Sequence, residues 1–147
     1  MKISVINGPN LNLLGTREPQ IYGTKSLEEI NKIIQNYFPN ISFSFFQSNV
    51  EGEIINQLQA SSSTYDGIII NPAGYSYTSI SIADTIASIK VPVIEVHLSN
   101  IYAREEFRSK SITANKCKGI ISGFGYYSYI LAVFAIIHLN SMESVQA

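Results

Sequence analysis

The sequence predicts an α/β fold, a three-layer sandwich with a parallel sheet between two layers of helices. Three observations predict it. Short apolar runs alternate with longer stretches of helical spacing, five times over. The run GIIIN at 67–71 is apolar almost throughout, as a strand buried on both faces must be. The chain has 147 residues with 46% hydrophobic content, the size of a single domain (1–147) with a full core.

The elements justify themselves in order. KISVI (2–6) is the first strand. No helical pattern begins until about Ser26, so INGPNLNLLGTREPQIYG (6–23) is an unusually long connection. At 26–38, SLEEINKIIQNYF sets Leu27, Ile30, Ile33, Ile34, Tyr37 and Phe38 at helical spacing. Ser26 with Glu29 fits a capping box, and Pro39 ends the helix. ISFSFFQ (41–47) alternates like a strand. Ser48 with Glu51 fits a second capping box ahead of GEIINQLQ. GIIIN is the third strand. A helix is expected over 78–89, with Ile80, Ile82, Ala83, Ile86 and Ala87 inward. VPVIEVHL (91–98) is the fourth strand, 104–110 a short helix, GIISG (119–123) the fifth strand and 127–140 the last helix. Five βα units in one small domain favour the flavodoxin-like strand order 2-1-3-4-5.

Composition narrows the partners. The net charge is -1 with no basic stripe, so nucleic acid is not an expected partner. Cys117 is the lone cysteine; it cannot form an internal disulfide and has no companions for a zinc site. The N-terminus has no signal-peptide core. The most apolar segment, 129–139, falls short of the roughly 20 residues that span a bilayer. A cytoplasmic protein with no membrane association is expected. Charged residues are only 14%, against about a quarter in ordinary domains. Either other subunits cover part of the surface, or the surface is built from the plentiful Ser, Asn, Gln and Tyr.

In such a sheet, ligands bind beyond the carboxyl ends of the strands, where the strand order reverses. The polar residues of this chain gather there. Asn7, Asn10, Asn12, Arg17 and Tyr22 follow the first strand, and Asn71 ends the third. Glu95, His97 and Ser99 end the fourth, and Arg104 and Arg108 follow. Three segments converging on one edge are more specific than any single motif. Glu95 precedes His97 by two, so both side chains share a strand face. A carboxylate there orients the imidazole and favours its protonated form, which suits a general acid. The same pair also reads as an ion pair that only helps packing. Guanidinium charge near Tyr22 would stabilise its phenolate, although a lone loop tyrosine also reads as a surface anchor. Arg104 and Arg108 share one helical face and could bind a carboxylate or hydroxyls. Beside Glu105 and Glu106 they also read as solvated surface. Asp84 is a helix-face charge or an interface residue, and His138 reads as a packed or interface histidine. No Gly-Lys-Ser/Thr phosphate loop is present. The turn after the first strand is not the Ser/Thr-rich turn of a flavin phosphate site. Asn7 and Asn71 stand where a phospho-acceptor domain needs acids.

INGPNLNLLGTREPQIYG, FFQSNVEGEIINQLQ, NPAGYSYTSISIAD and IEVHLSNIYAREEFR, in this order and spacing, closely resemble the type II 3-dehydroquinate dehydratases. The likeness runs from Ile3 to about Asn140. It implies a flavodoxin-like fold, trimers assembled into a homododecamer, and dehydration of 3-dehydroquinate to 3-dehydroshikimate in the shikimate pathway. It implies no metal and no cofactor. By the same resemblance, Tyr22 is the base, Arg17 shares its mobile lid, and Asn10 holds a water that stabilises an enolate. His97, oriented by Glu95, is the acid. Asn71, Leu98, Ser99 and Arg108 bind substrate, Arg104 lies near the tyrosine, and Asp84 reaches a neighbouring subunit's site. One departure stands out. Where the family pattern has a substrate-contacting histidine, YSYTS places Tyr77, which cannot carry positive charge. Activity is expected to be retained. The alternative is an oligomeric small-molecule binder without catalysis on the same scaffold.

Overall fold

The computed structural model describes residues 1–146. Five parallel strands, β1 (Lys2–Asn7), β2 (Ser42–Gln47), β3 (Gly67–Asn71), β4 (Val93–His97) and β5 (Gly119–Ser122), line up in the order β2-β1-β3-β4-β5. The order reverses between β1 and β3, whose last residues, Asn7 and Asn71, sit side by side in register.

Period-two alternation along the central strands feeds two cores. Ile3, Val5, Ile69, Ile94 and Val96 face α2 (Leu27–Tyr37) and α5 (Tyr127–Gln146), packing on Ile30, Ile34, Tyr129, Ile130, Val133 and Ile136. Ile6, Ile68, Ile70 and Val93 face the other way, onto Ile54 and Leu58 of α3 (Glu51–Ser61) and Ile82 and Ile86 of α4 (Ile80–Ser88). Glu95 and His97 belong to this second face by parity with Val93, so they lie under the α4 side of the sheet.

The capping box at Ser26 is formed. The Ser26 hydroxyl accepts from the Glu29 N–H at 3.1 Å, and the Glu29 carboxylate accepts from the Ser26 N–H at 3.4 Å. The second expected box is not. Val50 is the N-cap of α3, and Ser48 accepts from the Val50 N–H while donating to Glu53. Ser48 lies too far upstream to cap, and it closes the turn instead.

Two further differences matter for the site. The long connection after β1 is not bare. It holds a 3-10 turn at Leu11–Leu13 and a single helical turn, α1 (Pro19–Tyr22), with proline at its first position. The stretch 104–110 is not one helix. Arg104 is extended between 3-10 turns at Ile101–Ala103 and Glu106–Ser109, so Arg104 and Arg108 do not share a helical face.

The last helix extends past the expected Asn140. With 20 residues, α5 is long and apolar enough to cross a membrane by length and composition. Its Tyr129, Ile130, Ala132, Val133 and Ile136 are fully buried, which is how a helix that covers a sheet behaves.

Candidate active site

A cleft of about 230 Å³ opens beyond the carboxyl ends of β1, β3 and β4. Asn10, Arg17, Tyr22, Asn71, Tyr77, His97, Leu98, Ser99, Arg104 and Arg108 all line it. Glu95 lies beneath His97. Asn7 lies below the cleft in contact with Tyr129, Asn12 is exposed beside Gln47, and Asp84 is elsewhere, on an exposed face of α4.

The floor is rigid for identifiable reasons. Gly8 donates its N–H to the Asn71 carbonyl at 2.8 Å, and a Cβ on Gly8 would lie 2.6 Å from the Pro72 carbonyl oxygen. Only glycine allows the two loops to touch there. Asn10 follows with φ 70°, a left-handed conformation that asparagine tolerates better than most residues. Below, Tyr129 donates to Asn7 Oδ1 at 2.5 Å and accepts from Asn71 Nδ2 at 3.2 Å. Asn71 Oδ1 accepts from the Ala73 N–H at 3.1 Å. This buried network fixes the ends of β1 and β3 to α5.

The cover is the second half of the long loop. Leu11 and Leu14 anchor its first half in the core. Arg17 then brings its guanidinium carbon to 4.9 Å from the centre of the Tyr22 ring, and Arg104 approaches to 5.2 Å. Arg104 Nη1 donates to the Tyr22 hydroxyl at 2.8 Å and reaches Ser99 Oγ at 3.4 Å. Tyr22 therefore has two cationic side chains close by, Arg17 from the loop over its ring and Arg104 from the segment after β4 at its hydroxyl.

At the end of β4, also lining the cleft, His97 Nε2 lies 2.8 Å from Glu95 Oε2. Glu95 is fully buried and His97 only 5% exposed, so this pair is screened from water. Ser111 donates to Glu95 Oε2 at 2.9 Å and Thr113 donates to Glu95 Oε1.

Tyr77 lines the same cleft with its ring edge-on to Phe107 at 5.7 Å and the Arg108 guanidinium 6.0 Å away. Burial pushes its pKa above the ordinary 10.0, while a hydrogen bond and charge from Arg108 pull the other way. Arg108 is also paired through Nε with Glu105, whose carboxyl that bond holds below its usual range.

Sequence reasoning missed Ser111, Thr113, Tyr129 and Phe107. Ser111 and Thr113 lie in an irregular stretch with no periodicity to mark them. Tyr129 lies in the apolar last helix, where an aromatic side chain ordinarily only packs. A hydroxyl placed in an apolar helix opposite two strand-end asparagines was the one available signal.

A family model described as dehydroquinase class II matches residues 1–137. The chain belongs to that family. A 3-dehydroquinate dehydratase of Clostridium botulinum is 57% identical over 138 residues, 92% of this chain and 94% of that one. One of Aliarcobacter butzleri is 51% identical over 148 residues, covering 99% and 90%. The crystal structure of a type II dehydroquinase from Butyrivibrio crossotus superposes with a TM-score of 0.90 at 46% identity, over 92% of this chain and 97% of that chain. The five-stranded architecture is thus that of a class II dehydroquinase, and the cleft lies where such a sheet binds ligands.

Proposed function

We propose that the chain is a type II 3-dehydroquinate dehydratase that converts 3-dehydroquinate to 3-dehydroshikimate in the shikimate pathway. Tyr22 acts as base and His97 as acid. The observation that carries the reading is the pairing of these two groups across one cleft, each with its own charged partner. Tyr22 has Arg104 on its hydroxyl and Arg17 beside its ring. His97 has Glu95.

The elimination follows from what each group can do. The Tyr22 phenolate takes a proton from the carbon beside the ketone. The electron pair left behind becomes an enolate, whose oxygen needs a donor already in place. Asn10 holds a water for that purpose. The enolate then reforms the ketone as the carbon–oxygen bond to the tertiary hydroxyl breaks. The nitrogen of His97 not engaged by Glu95 gives its proton to the departing oxygen, which leaves as water. The elimination is proposed to be anti, with base and acid acting on opposite faces of the substrate ring. Asn71, Leu98, Ser99, Arg108 and Tyr77 hold the ring and its substituents.

Assembly is part of the proposal. The 14% charge content suits a surface partly covered by copies of the chain. Ile80, Tyr102 and Phe124 are large apolar side chains more than half exposed on the single chain. Asp84, outside its own cleft, is proposed to reach the cleft of a neighbour within a trimer, four trimers making the dodecamer. Light scattering after size exclusion reads the assembly directly. The proposed setting is the cytoplasm.

The catalytic test is the appearance of the conjugated enone by ultraviolet absorbance after 3-dehydroquinate is added. Tyr22→Phe should abolish it while far-ultraviolet circular dichroism stays unchanged. Absence of turnover by the parent protein at high concentration would overturn the reading and favour a binding protein.

A further inference from the structure

Glu95 is fully buried, yet all its oxygens are engaged, and only one of the contacts is His97. We infer that Ser111 and Thr113 are positioning residues that set the proton affinity of His97 by anchoring the Glu95 carboxylate. This rests on the acid role proposed for His97, but its physical content is independent of turnover.

The argument begins with hydrogens. A hydroxyl has one to donate. Ser111 gives its hydrogen to Glu95 Oε2 and accepts from the Ala114 N–H at 3.1 Å. Thr113, itself fully buried, gives its hydrogen to Glu95 Oε1. The 3.2 Å approach between the two hydroxyls is therefore proximity and carries no third hydrogen bond. Among the described residues, Oε2 accepts from two groups, Ser111 and His97, and Oε1 from Thr113 alone. Removing the Thr113 hydroxyl strips Oε1 of its donor in a place water does not reach.

A buried carboxylate oxygen left without a donor makes the anion expensive. The carboxylate can then hold a proton more readily or turn towards another donor. Either response weakens the anion facing His97, and the imidazolium loses its counter-charge. The backbone keeps the two hydroxyls in place. The Ile112 N–H, between them, donates to the Ser76 carbonyl at 2.8 Å, tying this strip to the loop after β3.

Other charged or titratable groups face the pair. Tyr77 and Cys117 both feel the Glu95 charge, and Arg104, Arg108 and Tyr22 share the cleft with His97. None of them donates a hydrogen bond to the Glu95 carboxylate, so none can replace Thr113 without moving.

The chain has two histidines, His97 and His138, which makes the test direct. Nuclear magnetic resonance of histidine-labelled protein follows both titrations in one sample. In Thr113→Val, which keeps the shape and removes the hydroxyl, the His97 midpoint should fall by about one pH unit. His138 should not move. Thr113→Ser should restore the parent value. Ser111→Ala should lower the His97 midpoint in the same direction and gives a second arm if the valine variant folds poorly. In turnover, kcat should fall with KM nearly unchanged. A His97 midpoint equal to the parent's in both Thr113→Val and Ser111→Ala would overturn the inference. A parent protein that lacks turnover but shows the His97 shift on substitution would leave the anchoring intact and remove only the proposed reaction.

Discussion

Tyr77 stands where the resemblance to the type II dehydratases implies a histidine. Its ring rests edge-on against Phe107 with Arg108 nearby, and burial keeps its hydroxyl protonated beyond pH 10. A hydroxyl kept protonated makes a neutral hydrogen bond and carries no positive charge. A histidine there could take up charge, and charged hydrogen bonds are roughly twice as strong. Tyr77→His should therefore raise kcat/KM for 3-dehydroquinate, by up to about tenfold for 1.4 kcal/mol of added interaction. An unchanged or lower value would mean that Tyr77 is no handicap and has its own substrate contact. Cys117 makes a second prediction at this scale. Burial, and then the Glu95 charge, push its thiol well above the ordinary 9.0. Only the thiolate reacts. Iodoacetamide at pH 8 should label Cys117 far more slowly in the folded protein than in urea, read by mass spectrometry.

At the scale of elements, the site depends on two loops held in contact. Gly8, after β1, lies against Pro72, after β3, with no room for a methyl group. These loops carry Asn10 and Asn71 into the cleft. Gly8→Ala must push backbone rather than a flexible side chain, and overpacking of this kind costs about 1–3 kcal/mol. A lowered urea midpoint is expected together with a fall in kcat/KM, because the displaced backbone is the floor of the site. Loss of stability with full activity would show that the floor tolerates the shift. The sequence made much of this level readable. Glu95 and His97 fell on one face because strand parity is strict, and the strand ends converged because the βα repeat is right-handed. The failures came where no repeat operates. Ser48 read as a cap because the capping-box pattern fixes a spacing but not the residue at which the helix starts. Arg104 and Arg108 read as one helical face because a four-residue spacing does not reveal that the chain is extended at Arg104, between two 3-10 turns. Ser111 and Thr113 meet Glu95 from 16 and 18 positions away, through a segment whose path only tertiary packing determines.

At the scale of the whole molecule, the strand order was legible because few topologies satisfy five βα units. The polar centre of the core was not. Tyr129 joins α5 to both β1 and β3 through Asn7 and Asn71, so one hydroxyl ties one helix layer to two neighbouring strands of the sheet. Burial pushes the Tyr129 pKa above the ordinary 10.0, against the smaller, opposite pull of its hydrogen bond with Asn71. The sign of the consequence follows from proton counting. Between pH 10 and the folded value, the unfolded chain has released the phenolic proton and the folded chain has kept it. The folded state then binds more protons, so stability falls as pH rises. The contribution is complete below pH 10 and is lost progressively above it, by about 1.4 kcal/mol per pH unit for this one group. Cys117 acts in the same direction from pH 9 upward. Urea midpoints measured at pH 8, 9.5, 10.5 and 11 should therefore decline, most steeply at the last two. Tyr129→Phe separates the causes. It should lower stability at pH 8, because Asn7 and Asn71 lose their shared partner, yet flatten the decline above pH 10, because phenylalanine has no proton to lose. An equally steep decline in that variant would place the alkaline weakness outside the Asn7–Tyr129–Asn71 network. A flattened one would make the bridge beneath the active site the point at which the fold yields to alkali.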